Sequence, residues 1–297
     1  MKKIACLFMA LSAILCLPVV SAQDYVTTNA DKALAASLLK TLYEADRNVQ
    51  GGLPTPELMV MAAKALAGTP YVAGTLDEDI VREVPRIYLT KTDCIIFVET
   101  CLALARTVKE AGEEAPGFPA FEANVVRTRY RGRPPFTYGD RVHYTTEWIR
   151  RQEDSLRDLT LELGGEVYDH PIHFMSSNPT LYKQLADADN IPRAALSLKK
   201  IREVEAELAK EPMTCIPSAK VASVEGGIRS GDIICFVSSV EGLDIAHVAI
   251  ALVEGGKVGF IHASQADGKV EKDRRTIAEY VARPNSKLSG IKVVRPL

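Results

Sequence analysis

Cysteine is the most nucleophilic side chain available at neutral pH, provided that something takes its proton. Cys94 stands at the head of the run DCIIFVETCLALA, from Asp93 to Ala105. Asp93 is a good helix N-cap, because its carboxylate can accept from the unpaired amides of a first turn. After Cys94 only Glu99 and Thr100 break the apolar run, so the helix belongs in a core. That places Cys94 at the positive end of a buried helix, where a thiol pKa is expected to fall and a thiolate to form. The alternative is a small buried cysteine that only packs.

Far downstream, Ile245–Leu252 alternates, with Ala246, Val248, Ile250 and Leu252 on one face and His247, Ala249 and Ala251 on the other. Residues 254–256 turn the chain, and Lys257–Ser264 returns as the second arm of a hairpin. With Glu254-Gly255 as the loop, His247 faces His262; with Gly255-Gly256 as the loop, it faces Ser264. Either way His247 and His262 share a face. The small Ala249 and Ala251 on that face would let a helix approach closely. Two of the five histidines on one hairpin face, downstream of a helix-capped cysteine, suggest Cys–His–His. His247 would take the proton of Cys94, and His262 would hold the His247 ring; Ser264 is the rival for that third place.

The elements around these residues follow from the same patterns. Residues 30–45 have helical spacing through Leu34, Leu38, Leu39 and Leu42. Thr55-Pro56 opens a second helix that stops at Gly68. Tyr71 follows a proline in an extended segment. Residues 194–210 form a charged amphipathic helix, and residues 231–240 a strand entered through Gly231-Asp232. Upstream of both, residues 125–151 carry seven arginines against only Asp140 and Glu147, interleaved with Tyr130, Phe136, Tyr138, Tyr144 and Trp148. Such a stretch is a solvated basic face, or a wall for an anionic, partly apolar ligand.

The chain has 297 residues, 47% hydrophobic and 25% charged, with a formal net charge of -2, which suits a globular enzyme and argues against nucleic acid as the main partner. Lys2 and Lys3, the apolar run Ile4–Val20 and the small Ser21-Ala22 read as a signal peptide, 1–22, cleaved after Ala22. Export, most simply to a periplasm, is the expectation. Cys16 follows Ile14-Leu15, where a lipobox needs a small residue, so no membrane anchor is expected. Cys94, Cys101, Cys215 and Cys235 remain after cleavage. Cys94 and Cys101 sit ~10 Å apart along one helix, beyond bridging reach. A Cys215–Cys235 bridge is open in an oxidising compartment. No Cys-x-x-Cys or zinc-ligand spacing occurs, so neither a metal nor a cofactor is expected.

Several runs together resemble the NlpC-type cysteine peptidase superfamily, which has a papain-like core and acts on bacterial cell-wall peptides. They are Gly68–Gly74, Asp93-Cys94 with Phe97-Val98-Glu99, Gly231-Asp232, Ile245–Ala249 and Ile261-His262-Ala263. Arg129–Gly132, Asp140–Tyr144 with Trp148, and Gly242–His247 are similar to an exported branch of N-acetylmuramoyl-L-alanine amidase-like proteins. The resemblance implies an α+β fold. A nucleophile helix would pack on an antiparallel sheet, with a helical N-terminal extension. Residues 23–297 would form one catalytic domain, with a helical, substrate-binding insertion at about 110–215. It implies Cys94 as nucleophile, His247 as base, His262 as third member, Tyr71 as the active-site tyrosine and Asp93 beside the substrate. Arg131, Arg141, His143 and Tyr144 would contact peptidoglycan fragments. Ile95-Ile96 depart from the superfamily's Ser-Gly, which helps hold the free amine of an N-terminal L-alanine. That departure favours cleavage of the amide between N-acetylmuramic acid, or its anhydro form, and L-alanine over γ-D-glutamyl-diamino-acid endopeptidase action. A non-catalytic wall-fragment binder is a third reading, but a binder would have no need of a thiolate.

Overall fold

The apolar run after Asp93 becomes α3 (Cys94–Lys109), and every residue from Ile96 to Val108 is buried. A helix apolar on all sides needs partners on all sides. Three helices supply one flank: α1 (Asn29–Arg47), α2 (Thr55–Ala65) and α4 (Phe118–Arg129). A sheet supplies the other. The computed structural model describes residues 25–79, 82–178 and 191–297; the expected signal peptide lies outside them.

The short α5 (Thr145–Arg150) and α6 (Phe174–Ser177) follow, then α7 (Ile191–Leu208), α8 (Val221–Val224) and α9 (Ile277–Val281). The strands are β1 (Leu156–Asp158), β2 (Glu166–Tyr168), β3 (Met213–Pro217), β4 (Ile233–Ser238), β5 (Ile245–Glu254), β6 (Lys257–Ser264), β7 (Lys269–Lys272) and β8 (Leu288–Pro296). They form one sheet in the order β2-β3-β8-β4-β5-β6-β7, with β1 also paired to β8. Each of these strands pairs antiparallel with its neighbours. The protein is therefore α+β. The insertion is not purely helical as expected, since β1, β2 and β3 from its span extend the central sheet.

Side-chain alternation gives the sheet two buried faces. Val248, Ile250 and Leu252 of β5, with Ile261 and Ala263 of β6, join the α3 core. Ala249, Ala251 and Phe260 join a second core with Ile277, Tyr280 and Val281 of α9. The small alanines do admit a helix, but it is α9, while α3, the helix expected there, packs on the opposite face.

The hairpin loop is Gly255-Gly256, at φ 57° and 76°. A two-residue hairpin turn of this hand needs positive φ at both positions, which glycine adopts freely and Glu254 would resist. The ladder accordingly pairs Glu254 with Lys257 and Ile250 with Ile261. At its other end β5 shifts register against β4: Phe236 faces His247, but Val237 faces Ile245. The extra residue, Ala246, makes a bulge directly before His247, a feature that re-aims the neighbouring side chain.

All four cysteines in the described residues are free. The suggested Cys215–Cys235 bridge is excluded by topology. Cys215 lies on β3 and Cys235 on β4, with β8 between them, a separation of ~10 Å, against the roughly 4.4–6.8 Å that a disulfide spans.

Candidate active site

Cys94 is the first residue of α3, and Asp93 caps the helix, its Oδ1 accepting from the Ile96 amide at 2.9 Å. The thiol meets the Val248 amide of β5 as well as the amides of Ile95 and Cys94 itself. The start of α3 is thus placed against the strand residue next to His247. Burial and the adjacent Asp93 carboxylate nevertheless push the thiol up to about 12, against the pull of those amides. The expected lowering by the helix end is outweighed, because desolvation of a thiolate costs more than a few amide dipoles recover. Asp93 itself is raised by burial, with the Arg129 guanidinium opposing.

Tyr71 is held beside them. It bridges to Thr92, and its amide donates to the Gly268 carbonyl at 2.9 Å. Burial, Cys94 and Asp93 push its phenol up to about 12, so at neutral pH it is a hydrogen-bond donor without charge. Ile96 is a core residue of α3, whereas Ile95 is half-buried at the helix start.

His247 Nε2 lies 2.7 Å from His262 Nδ1. The ring centroids are 5.0 Å apart at 83°, edge to face. This contact forms although the turn sets the register that puts Ser264, not His262, opposite His247. The expected link between register and partner therefore fails: two imidazoles reach each other along the diagonal of the ladder. Ser264 is occupied elsewhere, its hydroxyl donating to Asp267 at 2.9 Å. Phe236, Phe260 and Tyr280 surround the pair. Burial, together with the neighbouring His262 and Arg283, pulls His247 down to about 3, and burial with Arg275 and Arg283 pulls His262 down to about 4. At neutral pH the site thus holds a neutral thiol and two neutral imidazoles.

Two residues near this group carry no sequence signature. Asp273 places Oδ2 3.4 Å from His262 Nε2. It lies just past β7, a strand too short and too charged to stand out. Tyr280 of α9 lies against both histidines, tilted to His247 and edge-on to His262, and interacts with Cys94. A lone tyrosine on a five-residue helix has no pattern to reveal it.

The basic, aromatic stretch is largely spent inside the protein. Arg141 is buried; it donates to the Leu76 carbonyl, pairs with Asp77 and faces Glu83. Tyr144 is buried, donating to Glu205 at 2.7 Å and accepting from the Met175 amide. Both were expected to contact substrate; here each is buried and its polar atoms meet internal partners. Arg131 grips Glu147 through Nε and a terminal nitrogen, at 2.5 and 2.6 Å. It lines a groove of about 630 Å³ between α5 and α7, together with Arg150, Lys200 and Glu207. None of Cys94, His247 and His262 lines that groove. His143 is half-buried, with Nε2 2.8 Å from the Tyr138 carbonyl, and burial beside Arg141 pulls it well below the usual histidine range. One buried arginine reaches α3: Arg129 donates to Glu99 at 2.8 Å and to the Arg86 carbonyl at 2.5 Å.

A capped cysteine against a hairpin that carries paired histidines, in an α+β protein, defines a class of thiol-bearing hydrolase-like sites. The chain belongs to the N-acetylmuramoyl-L-alanine amidase-like family, which it matches over residues 61–289. A crystal structure of an N-acetylmuramoyl-L-alanine amidase from Bacteroides uniformis ATCC 8492 is similar at 32% identity, covering 82% of this chain and 98% of that one, with a TM-score of 0.70. A second structure of that description and organism gives 30% identity, coverage of 82% and 99%, and a TM-score of 0.71. A protein of Legionella pneumophila, 20% identical, covers 91% of this chain and 97% of its own with a TM-score of 0.61, a likeness of fold alone. No curated protein matches the chain.

Proposed function

We propose that this protein is a cysteine-dependent amidase on an NlpC-type, papain-like core. It hydrolyses the amide between N-acetylmuramic acid, or its anhydro form, and L-alanine of peptidoglycan fragments, after export to the periplasm. The observation that carries the reading is the 2.7 Å His247–His262 contact beside the strand amide that meets Cys94. Family membership supplies the substrate class.

In the proposed reaction His247 Nδ1 accepts the thiol proton as Cys94 Sγ bonds to the lactyl carbonyl carbon. The amides of the first α3 turn help hold the oxyanion. His247 then passes the proton to the departing L-alanine nitrogen, the C–N bond breaks, and a thioester remains. Water, giving a proton to His247, cleaves the thioester to a lactyl carboxylate and returns the thiol. With the thiol near 12 and the imidazole near 3, proton transfer has to accompany attack rather than precede it. Tyr71 and Asp93 flank the reacting carbonyl, and the half-buried His143 is retained as a substrate contact.

One observation favours a second reading. Asp93 stands next to Cys94 at the head of α3, a carboxylate suited to the free ammonium that a γ-D-glutamyl-diamino-acid endopeptidase must hold. The matched test is kcat/KM on muramoyl-linked and free-amine forms of one tetrapeptide, with products read by mass spectrometry. Cleavage at L-alanine of the muramoyl form supports the amidase. Preference for the free amine with release of L-Ala-γ-D-Glu replaces it with the endopeptidase, and cleavage of neither makes the protein a binder.

A further inference from the structure

We infer that Asp273 is a positioning residue that, through His262, fixes which nitrogen of His247 carries the proton. The inference rests on the proposed role of His247 as the base.

Each neutral imidazole has one N–H and one bare nitrogen. His262 and Asp273 are both buried, so water does not decide which is which. Nδ1 of His262 is engaged by His247 at 2.7 Å. Nε2 of His262 has no hydrogen-bond partner within normal reach and faces Asp273 Oδ2 at 3.4 Å. A carboxylate only accepts, so the proton of His262 belongs on Nε2, pointing at Asp273; such contacts are often long before substrate binds. The opposite tautomer would aim a lone pair at an anion. With Nε2 protonated, His262 Nδ1 is bare and accepts from His247 Nε2–H. That leaves His247 Nδ1 bare, which is the state needed to take the Cys94 proton. One carboxylate thus sets two tautomers in series.

Asp273 is itself tightly held. Its amide donates to the Phe260 carbonyl at 3.0 Å, extending the β6–β7 ladder by one residue. Oδ1 accepts from the Arg275 amide and from Arg275 Nε, both at 2.8 Å, and Oδ2 accepts from a terminal guanidinium nitrogen at 2.7 Å. Arg275 offsets the carboxylate charge, in keeping with His262 staying neutral despite its acidic neighbour. The role of Asp273 is therefore orientation more than charge.

The same geometry says what Asp273→Asn does. The amide oxygen takes the Oδ1 place, where the Arg275 amide and Nε converge, and the NH₂ takes the Oδ2 place, displacing the terminal Arg275 nitrogen that donates there. It then donates to His262 Nε2, which must be bare. His262 carries its proton on Nδ1, His247 accepts it on Nε2, and His247 Nδ1 is protonated where a base is required.

The test combines turnover with imidazole tautomers on the full mature chain. Histidine is ¹⁵N-labelled, and long-range ¹H–¹⁵N spectra at pH 7 are assigned through single histidine substitutions. The expected wild-type pattern is a bare Nδ1 on both His247 and His262. In Asp273→Asn both Nδ1 atoms become protonated, and kcat on a muramoyl peptide falls on the order of 10⁴-fold, as when a histidine base is held in the wrong tautomer. A wild-type spectrum with His262 protonated on Nδ1 overturns the inference without any variant, and so covers the case in which Asp273→Asn fails to fold. A folded Asp273→Asn with unchanged tautomers and unchanged kcat overturns it too. Cys94→Ala and His247→Ala run in parallel: if either stays active, the catalytic reading fails, while the tautomer pattern still decides what Asp273 does.

Discussion

The protonation state of Cys94 gives the sharpest quantitative test. Burial and Asp93 move the thiol from 9.0 to about 12. At pH 7 this lowers the thiolate fraction about 1000-fold relative to an unperturbed cysteine. A more basic thiolate is also a better nucleophile, and a Brønsted slope of about 0.4–0.5 offsets roughly 15–30-fold of that loss. Cys94 in the folded protein should therefore react with iodoacetamide about 30–60-fold more slowly at pH 7 than Cys94 in the urea-unfolded chain. The assay is alkylation under excess reagent from pH 6 to 10, read by peptide mass at Cys94, with Cys94→Ala as the blank. Cys101, Cys215 and Cys235 are buried and should not compete in the folded state. The logarithm of the rate should climb steadily with pH and show no plateau below pH 10. A plateau below pH 8, or a folded rate at pH 7 equal to the unfolded one, would mean that the resting enzyme already holds a thiolate–imidazolium pair. Proton transfer would then precede attack and not accompany it.

Four further outcomes follow from particular contacts. Cys94→Ala and His247→Ala should abolish hydrolysis of a muramoyl peptide and His262→Ala should lower it somewhat less, whereas Cys101→Ala and Ser264→Ala should leave it near wild type; a crippled Ser264→Ala would return the third place to the serine. Glu99→Ala leaves Arg129 buried without its 2.8 Å counter-charge, so urea unfolding should show a loss of about 3–5 kcal/mol; a loss within error would mean that water or another acceptor replaces Glu99. His247 and His262 are held at about 3 and about 4, below the 6.5 of a free imidazole. The unfolded chain then binds protons that the folded one refuses, so their contribution is complete above pH 6.5 and is lost as pH falls toward 3–4; urea midpoints should drop less between pH 7 and 4.5 in His262→Gln than in the wild type, and an equal drop would refute this. With no disulfide among the described residues, dithiothreitol should leave the Tm unchanged, and a fall on reduction would reveal a bridge.

Local chemistry was readable wherever one segment decides its own state. Asp93 caps α3 because a carboxylate before an apolar run has first-turn amides to accept from. The parity of His247 and His262 follows from strand alternation, whichever two residues form the turn. The sequence also narrowed the hairpin to two registers; the paired positive φ of Gly255 and Gly256 chose between them.

What tertiary structure alone decided is which interactions win. The helix end that should ionise Cys94 is present, but burial and Asp93 oppose it, and burial is a property of the packed core and not of the helix. Arg141 and Tyr144 looked like ligand contacts in a basic, aromatic stretch; their partners Asp77, Glu83 and Glu205 come from distant segments that no local pattern connects. The same holds for Asp273, brought to His262 by the β6–β7 ladder. Cys215 and Cys235 are kept apart by β8, the last strand in the chain, inserted between β3 and β4. Capping and alternation act over a few residues and are written in order along the chain. Desolvation, ion pairing and strand order act between residues that only the completed fold makes neighbours.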